Sequence, residues 1–158
     1  MAKIVHAIVD IDGTLTADRP GTSQTGAAYL NNNALFEVFR EGLMRLGHSR
    51  GAAAAELLRY VGANTFWDYD DIIAAFALPP RETWAALREW HTRNLEVFAD
   101  GVRMLRALQR AGIALSICSN NPRTGCLLKL ERAGLATVDS AAPFQSIMCS
   151  NSIRGQKS

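Results

Sequence analysis

The apolar positions near the start of the chain form one short, unbroken run. Residues Lys3 to Val9 are rich in Ile and Val and show no alternation with polar residues, and the turn-forming pair Asp12-Gly13 follows. A run of this kind is typical of a strand that is buried on both faces of a parallel sheet. We therefore predict a buried strand here, with Asp10 at its carboxyl end.

Apolar positions recur at helical spacing farther along the chain. Residues 16–33 hold Pro, Gly, Ser, Thr and Asn and predict a connection. Asn33 as N-cap and Gly47 as stop enclose the first helical stripe. Its members are Leu35, Phe36, Phe39, Leu43 and Leu46. Three more helices are predicted at about 52–62, 66–78 and 79–97. Four helices in succession predict a small bundle inserted after the first strand.

Strands and helices alternate again after Asp100-Gly101. The pattern predicts a helix from Val102 to Gly112, a buried strand at 113–118, a helix at about 125–133 and a weaker strand at 146–149. This order is typical of an α/β parallel sheet with right-handed crossovers. The domains predicted from it are an α/β core at 1–16 and 98–158 and a helical insert at 17–97.

Composition narrows the classes of partner. The net charge of +2 comes from scattered Lys and Arg without a basic stripe, which argues against nucleic acid and favours a small molecule. No uncharged run reaches about 18 residues, so no membrane span is predicted. Three cysteines without a CxxC pair suggest neither disulfides nor zinc. With no secretory signal pattern at the start, we expect a cytoplasmic protein.

Two carboxylates stand at the end of the first predicted strand. Asp10 and Asp12 flank a turn that Gly13 permits, so both can approach one small volume. Such carboxylates repel unless a cation or a proton intervenes, which favours a hard divalent ion, and Mg²⁺ suits phosphate chemistry best. A DxDG sequence alone also fits a surface turn or a calcium loop, but neither explains the buried strand before it.

The whole run Asp10-Ile11-Asp12-Gly13-Thr14-Leu15-Thr16 after a hydrophobic strand resembles the first motif of the haloacid dehalogenase (HAD) superfamily. The resemblance implies a Rossmann-like α/β core. It implies that Asp10 attacks a phosphoryl group and that Asp12 acts as general acid and then as general base. It also implies that Mg²⁺ is held by the Asp10 carboxylate and the Asp12 main-chain carbonyl.

Further motifs of the family have partial counterparts. Ser119 stands where the second motif places a phosphate-binding hydroxyl, with the main-chain N–H groups around Asn120 and Asn121 completing the phosphate site. Lys157 loosely fits the lysine of the third motif. Without a functional role, Ser119 would belong to an ordinary strand-ending turn and Lys157 would be a solvated lysine near the chain end. The acidic fourth motif has no counterpart before Ser158, so we expect the sheet to lack the strand that would flank the first one.

The helical insert resembles the all-helical cap of the phosphoglycolate phosphatase and β-phosphoglucomutase branch. Caps of this kind exclude water and select the substrate. The resemblance makes Arg19 and Arg123 candidates to bind a second anionic group of the substrate, although both also fit ordinary surface arginines.

The function expected from these residues is Mg²⁺-dependent hydrolysis of a phosphate monoester of a small phosphorylated metabolite through an aspartyl-phosphate on Asp10. A sugar-phosphate mutase would use the same residues. The other alternative is a truncated, catalytically impaired protein that serves as a phosphate-binding or interaction module. An exposed first strand would also allow a homodimer through the sheet edge.

Overall fold

The structure is a computed structural model that describes residues 4–19, 35–64 and 67–149. The chain divides into two compact units. An α/β unit combines Met1–Ala17 with Leu95–Ser158, and a helical unit comprises Asp18–Asn94. The predicted role of the helical segment as a cap stays a prediction.

The strands described are β1 (His6–Val9), β2 (Thr16–Asp18), β3 (Leu95–Val97), β4 (Ala114–Cys118) and β5 (Ser146–Met148). The helices are α1 (Arg40–Arg45), α2 (Arg50–Ala63), α3 (Tyr69–Ala75), α4 (Pro80–Asn94), α5 (Ala99–Arg110) and α6 (Arg123–Arg132). A π-helical segment, Leu35–Phe39, precedes α1. No helix among these residues is long and apolar enough to cross a bilayer.

The α/β unit is built on a parallel sheet with the strand order β1-β4-β5. Val9 lies opposite Ile117, which in turn lies opposite Ile147. These three side chains are buried with Leu105 of α5 and Leu130 of α6 in one apolar cluster. Strand, helix and strand therefore alternate around a parallel sheet, and the predicted α/β class is confirmed.

The prediction that β1 is buried on both faces is wrong. Ile8 is 65% exposed, and Ile4 and Val5, just before the strand, are exposed as well. Within the described part of the chain β1 pairs only with β4, so it is an edge strand. The cluster that contains α5 and α6 residues covers the face that carries Val9, and Ile8 points away from it. An apolar run alone does not distinguish an edge strand from a central one.

Among the stripe positions whose burial the structure describes, the helical unit departs from the prediction at Leu46. Phe39 and Leu43 are buried as predicted, but Leu46 is 49% exposed. The helix ends at Arg45 and Leu46 is its C-cap residue, so this position no longer follows the helical stripe. The predicted N-cap Asn33 and the predicted helix start at Phe66 lie outside the described residues.

Two predicted element boundaries, near residues 16 and 97, are wrong because the residues there form a small sheet. Residues 16–18 were expected to begin a connection, and 95–97 to end a helix. They instead form strands β2 and β3 of a two-stranded sheet, and α4 ends at Asn94. Hydrophobic spacing reports local structure, whereas this pairing joins segments far apart in sequence.

Candidate functional site

The segment after β1 folds back on itself at once. The carbonyl of Ile11 accepts hydrogen bonds from the N–H groups of Leu15 and Thr16 at 2.8 and 3.0 Å. The N–H of Gly13 donates to the carbonyl of Thr16 at 2.8 Å, and Gly13 has a φ of 76°. That left-handed conformation costs glycine little, so the residue type permits the tight turn. Asp10 and Asp12 are thereby held close to the carboxyl end of the strand.

Asp10 presents an accessible carboxylate at the carboxyl end of strand β1. It is exposed, and one of its oxygens, Oδ1, accepts the Ile11 N–H at 2.7 Å. Ser119 follows β4 at the same end of the sheet, because β1 and β4 are parallel and Val9 lies opposite Ile117. The Ser119 N–H donates to the carbonyl of Met148 at 2.9 Å, which fixes this residue beside β5. The register of the parallel strands therefore brings Asp10 and Ser119 to the same end of the sheet, where β1 and β4 finish.

Asp12 forms an ion pair with a lysine from α6. Lys129 Nζ lies 2.5 Å from Asp12 Oδ1, although the two residues are 117 positions apart in sequence. The lysine side chain is mostly buried, whereas that of Asp12 is 49% exposed. A fixed ammonium group therefore lies beside a carboxylate that solvent can reach.

Asn121 connects Asp12 to Ser119. Its Nδ2 donates to Asp12 Oδ2 and, at 2.9 Å, to Ser119 Oγ. Its Oδ1 accepts from Lys129 Nζ at 3.4 Å. A carboxylate, a hydroxyl, an amide and an ammonium are thus joined by hydrogen bonds. We call these four residues, Asp12, Ser119, Asn121 and Lys129, the Asp12 cluster.

The other predicted site residues lie outside this cluster. Asn120 is exposed, and no hydrogen bond joins its side chain to the cluster. Arg123 is exposed and donates from Nη1 to the carbonyl of Ile147 at 3.4 Å. Arg19 belongs to the helical unit, where its main-chain N–H donates to the carbonyl of Asn94. Lys157 lies outside the described residues. The roles predicted for all four stay predictions.

Sequence reasoning missed Lys129 altogether, and it considered Asn121 only for its main-chain N–H and not for its side-chain contacts. Lys129 interrupts the apolar run Cys126-Leu127-Leu128-Lys129-Leu130, and a lone charge among buried positions needs a partner. The sequence alone therefore contained a signal that Lys129 pairs with an acidic group. Asn121 carried a weaker signal, because asparagine is ordinary in a strand-ending turn.

Two buried cysteines pack behind the cluster. Cys149 Sγ donates to Cys126 Sγ at 3.4 Å, and Cys126 Sγ donates to the carbonyl of Asn121 at 3.8 Å. The pKa of the Cys126 thiol is raised far above its ordinary value, first by the hydrogen bond with Cys149 and then by burial. Cys126 is therefore a protonated, structural thiol rather than a nucleophile.

The donor set fits a magnesium ion that retains water. Both oxygens of Asp12 already have partners, Lys129 and Asn121, so its carboxylate is not the natural metal ligand. The described residues contain no group of three His, Cys, Asp or Glu that could enclose a metal. Mg²⁺ commonly binds one or two protein oxygens and keeps several waters and substrate oxygens. The exposed Asp10 carboxylate offers one such oxygen, and the Asp12 main-chain carbonyl stays the second ligand that the resemblance implies.

A separate groove of about 540 Å³ lies within the helical unit. Its lining includes Glu37, Glu41, Glu82 and Glu89. Two arginines, Arg45 and Arg93, also line it, so the four glutamates outnumber the cations, and Arg93 already lies within 4 Å of Glu37 and Glu89. The acidic lining repels a phosphate ester, so we do not assign the phosphate site to this groove.

Comparisons with known proteins agree with this architecture. No protein-family model matches the chain, and no curated protein sequence matches it. Among solved structures, an HAD phosphatase from Thermococcus onnurineus matches with a TM-score of 0.56 and 22% identity over 96% of this chain and 64% of that one. A haloacid dehalogenase-like hydrolase from Bacteroides fragilis matches with a TM-score of 0.41 and 20% identity over 94% of this chain.

The chain spans 64% of the length of each of these two proteins. At such identity a structural likeness speaks for the fold and not for the activity. The likeness to the Thermococcus structure is consistent with the parallel sheet and its strand order β1-β4-β5. The chain therefore has the Rossmann-like α/β fold of HAD proteins.

Proposed function

We propose that this chain hydrolyses a small-molecule phosphate monoester through an aspartyl-phosphate formed on Asp10. One observation carries the proposal. An accessible carboxylate at the end of β1 lies at the same end of the sheet as Ser119, while a second carboxylate, Asp12, is paired with Lys129. Phosphoryl transfer requires a nucleophile, a proton donor and positive charge near the phosphate, and these residues supply all three.

In the first step, an Asp10 oxygen attacks phosphorus and the bond from phosphorus to the ester oxygen breaks. The electron pair of that bond leaves with the ester oxygen. Asp12, in its protonated form, gives its proton to that oxygen, so the product is a neutral alcohol. Covalent catalysis of this kind divides one difficult displacement into two easier ones.

In the second step, water attacks the phosphorus of the aspartyl-phosphate. Asp12, now a carboxylate, takes a proton from that water as the bond between phosphorus and Asp10 breaks. Inorganic phosphate leaves, and Asp10 returns to its carboxylate form. The exposure of the Asp12 side chain, 49%, supports this role because water and substrate can both reach it.

Lys129 and Ser119 stabilise the transferring phosphoryl group in this proposal. The ammonium of Lys129 is fixed by Asp12 and by Asn121, so it is oriented before substrate binds. Preorganised positive charge stabilises the charge that develops on phosphate oxygens. Lys129 thus takes the part that the sequence resemblance had given to Lys157. The Ser119 hydroxyl donates to a phosphate oxygen.

Mg²⁺, held by the Asp10 carboxylate and the Asp12 carbonyl, would neutralise negative charge where the nucleophile meets the phosphate. We further propose that the helical unit acts as a substrate-selecting cap of the phosphoglycolate phosphatase and β-phosphoglucomutase kind. Its place in the sequence, directly after the segment that carries Asp10 and Asp12, supports this role. In that case Arg19 and Arg123 bind a second anionic group of the substrate.

Phosphate release from a panel of small phosphate esters, with and without Mg²⁺, tests the proposed function. The wild-type chain is compared with Asp10→Asn, which removes the nucleophilic oxygen and keeps the shape. A matched control is Asp139→Asn, because Asp139 is an exposed carboxylate outside the site. We expect Asp10→Asn to reduce turnover on the order of 10³-fold or more, and Asp139→Asn to leave it unchanged.

Each result has a defined meaning. Mg²⁺-dependent turnover that survives in Asp139→Asn and disappears in Asp10→Asn supports the aspartyl-phosphate. Acid-stable labelling of any residue other than Asp10 argues against it. A folded chain that binds phosphate without releasing any from esters favours the phosphate-binding module instead.

A further inference from the structure

The side chain of Asn121 uses both ends of its amide within the Asp12 cluster. Nδ2 donates to Asp12 Oδ2 and to Ser119 Oγ, and Oδ1 accepts from Lys129 Nζ. A carboxamide has two donor hydrogens and one acceptor oxygen, and each of them has a partner here. Asn121 therefore contacts the three other members of the cluster and fixes their relative positions.

The main chain of Asn121 is itself held in place. Its N–H donates to Ser119 Oγ at 3.3 Å, and its carbonyl accepts from Cys126 Sγ at 3.8 Å. Cys126 is fully buried in α6, and its raised pKa keeps the thiol proton that this contact requires. Pro122, the next residue, precedes the first turn of α6 with a φ of −58°. Asn121 is thus anchored to a rigid element.

Asp12 needs such an anchor because its own surroundings restrain it weakly. Its side chain is half exposed, and it follows the sharp turn at residues 10–16. Lys129 restrains one oxygen, but an ammonium on a four-carbon stem is a point charge with little directional preference. An amide donor is directional, so its contact with Oδ2 decides the rotation of the carboxylate.

The geometry points to Asn121 as a positioning residue that sets the orientation of the Asp12 carboxylate toward the leaving oxygen of the substrate. This inference rests on the proposed function. Asn121 need not touch the substrate, because it acts through Asp12. Its loss should impair proton transfer to the leaving group more than the attack of Asp10 on phosphorus.

The test compares two esters that differ in how much they need a proton donor. p-Nitrophenyl phosphate releases a stable phenolate, whereas glycerol phosphate releases an alkoxide that must be protonated. We expect Asn121→Ala to lower kcat/KM on glycerol phosphate at least about ten-fold more than on p-nitrophenyl phosphate. Asn64→Ala is the control, since it removes an asparagine of the helical unit that donates to Tyr60.

A second variant guards against misfolding. Asn121→Asp keeps the size of the side chain and removes both donor hydrogens, so it should reproduce the selective loss. Equal losses on the two esters in both variants would show a merely structural role and overturn the inference. Rescue of proton transfer in Asn121→Asp would overturn it as well.

Failure of the proposed function is distinguishable from failure of this inference. If the wild-type chain hydrolyses neither ester, the proposed function fails. The orientation of Asp12 is then read from crystal structures of the wild type and of Asn121→Ala. A rotated Asp12 carboxylate supports the positioning role, and an unchanged one overturns it.

Discussion

At the scale of single residues, the pairing of Lys129 with Asp12 changes which lysine we expect to stabilise the transferring phosphoryl group. Lys157 matched the family motif only by its place near the third predicted strand. Lys129 instead reaches Asp12 from within α6, and 9% of the residue is exposed. A buried ammonium that is fixed by two partners is well placed to stabilise a phosphate group.

The two lysines serve as matched controls for each other. Lys129→Met keeps an unbranched side chain and removes the charge, and we expect it to lower kcat about 10²-fold. Lys157→Met is expected to change kcat less than about three-fold, because the proposal gives the stabilising charge to Lys129. Phosphate release with and without Mg²⁺ measures both. The reverse order of effects would return the role to Lys157.

The three cysteines should differ in reactivity. Cys118 is exposed, whereas Cys126 and Cys149 are buried. Because its pKa is raised, the Cys126 thiol forms no reactive thiolate near neutral pH, and raising the pH from 7 to 9 should not label it. Mass spectrometry after iodoacetamide treatment should find Cys118 modified in the native chain and all three in urea. Early labelling of Cys126 would show that the α6 packing is wrong.

At the scale of elements, the first turn of α5 packs tightly against the segment that holds Asp12. A Cβ added at Gly101 would lie 2.6 Å from the carbonyl oxygen of Thr14 and 3.3 Å from Leu15 Cδ2. The sequence suggested a break at Asp100-Gly101, yet α5 already begins at Ala99. Glycine at this position permits close approach of two main chains rather than ending an element.

Gly101→Ala tests this close approach. An alanine in an open helix position stabilises by up to about 1 kcal/mol, but here the added methyl group must displace main chain. We expect a net loss of about 1–3 kcal/mol in the free energy of unfolding, measured by urea denaturation. Gly51→Ala in α2 is the matched control because no atom lies within 4 Å of its added Cβ. Equal shifts in the two variants would contradict the contact.

At the scale of the whole molecule, we propose that the edge of the sheet formed by β1, as far as the chain is described, takes part in association. β1 carries Ile8 on the outer face, and Ile4 and Val5 precede it in the open. Strands β1, β4 and β5 contain no Asp, Glu, Lys or Arg. An uncharged apolar edge strand readily pairs with another strand, and a second copy of the chain offers the same uncharged edge.

We therefore expect the wild-type chain to self-associate as its concentration rises, and Ile8→Lys to weaken that association at least about ten-fold, since charged residues block edge pairing. Analytical ultracentrifugation over a range of concentrations measures the effect. Met104→Lys is the control, because Met104 is an exposed apolar residue on α5. Identical behaviour of the two variants would place the association elsewhere.

Sequence by itself determined the α/β class, the inserted helices and the places of Asp10, Asp12 and Ser119, because each depends on local spacing and turn chemistry. Only the tertiary structure decided that β1 exposes one face, that β2 pairs with β3, and that Lys129 and Asn121 reach Asp12. Those features depend on the register of parallel strands and on helix packing. The contacts of Lys129 and Asn121 with Asp12 join residues more than a hundred positions apart, so no pattern along the chain reports them.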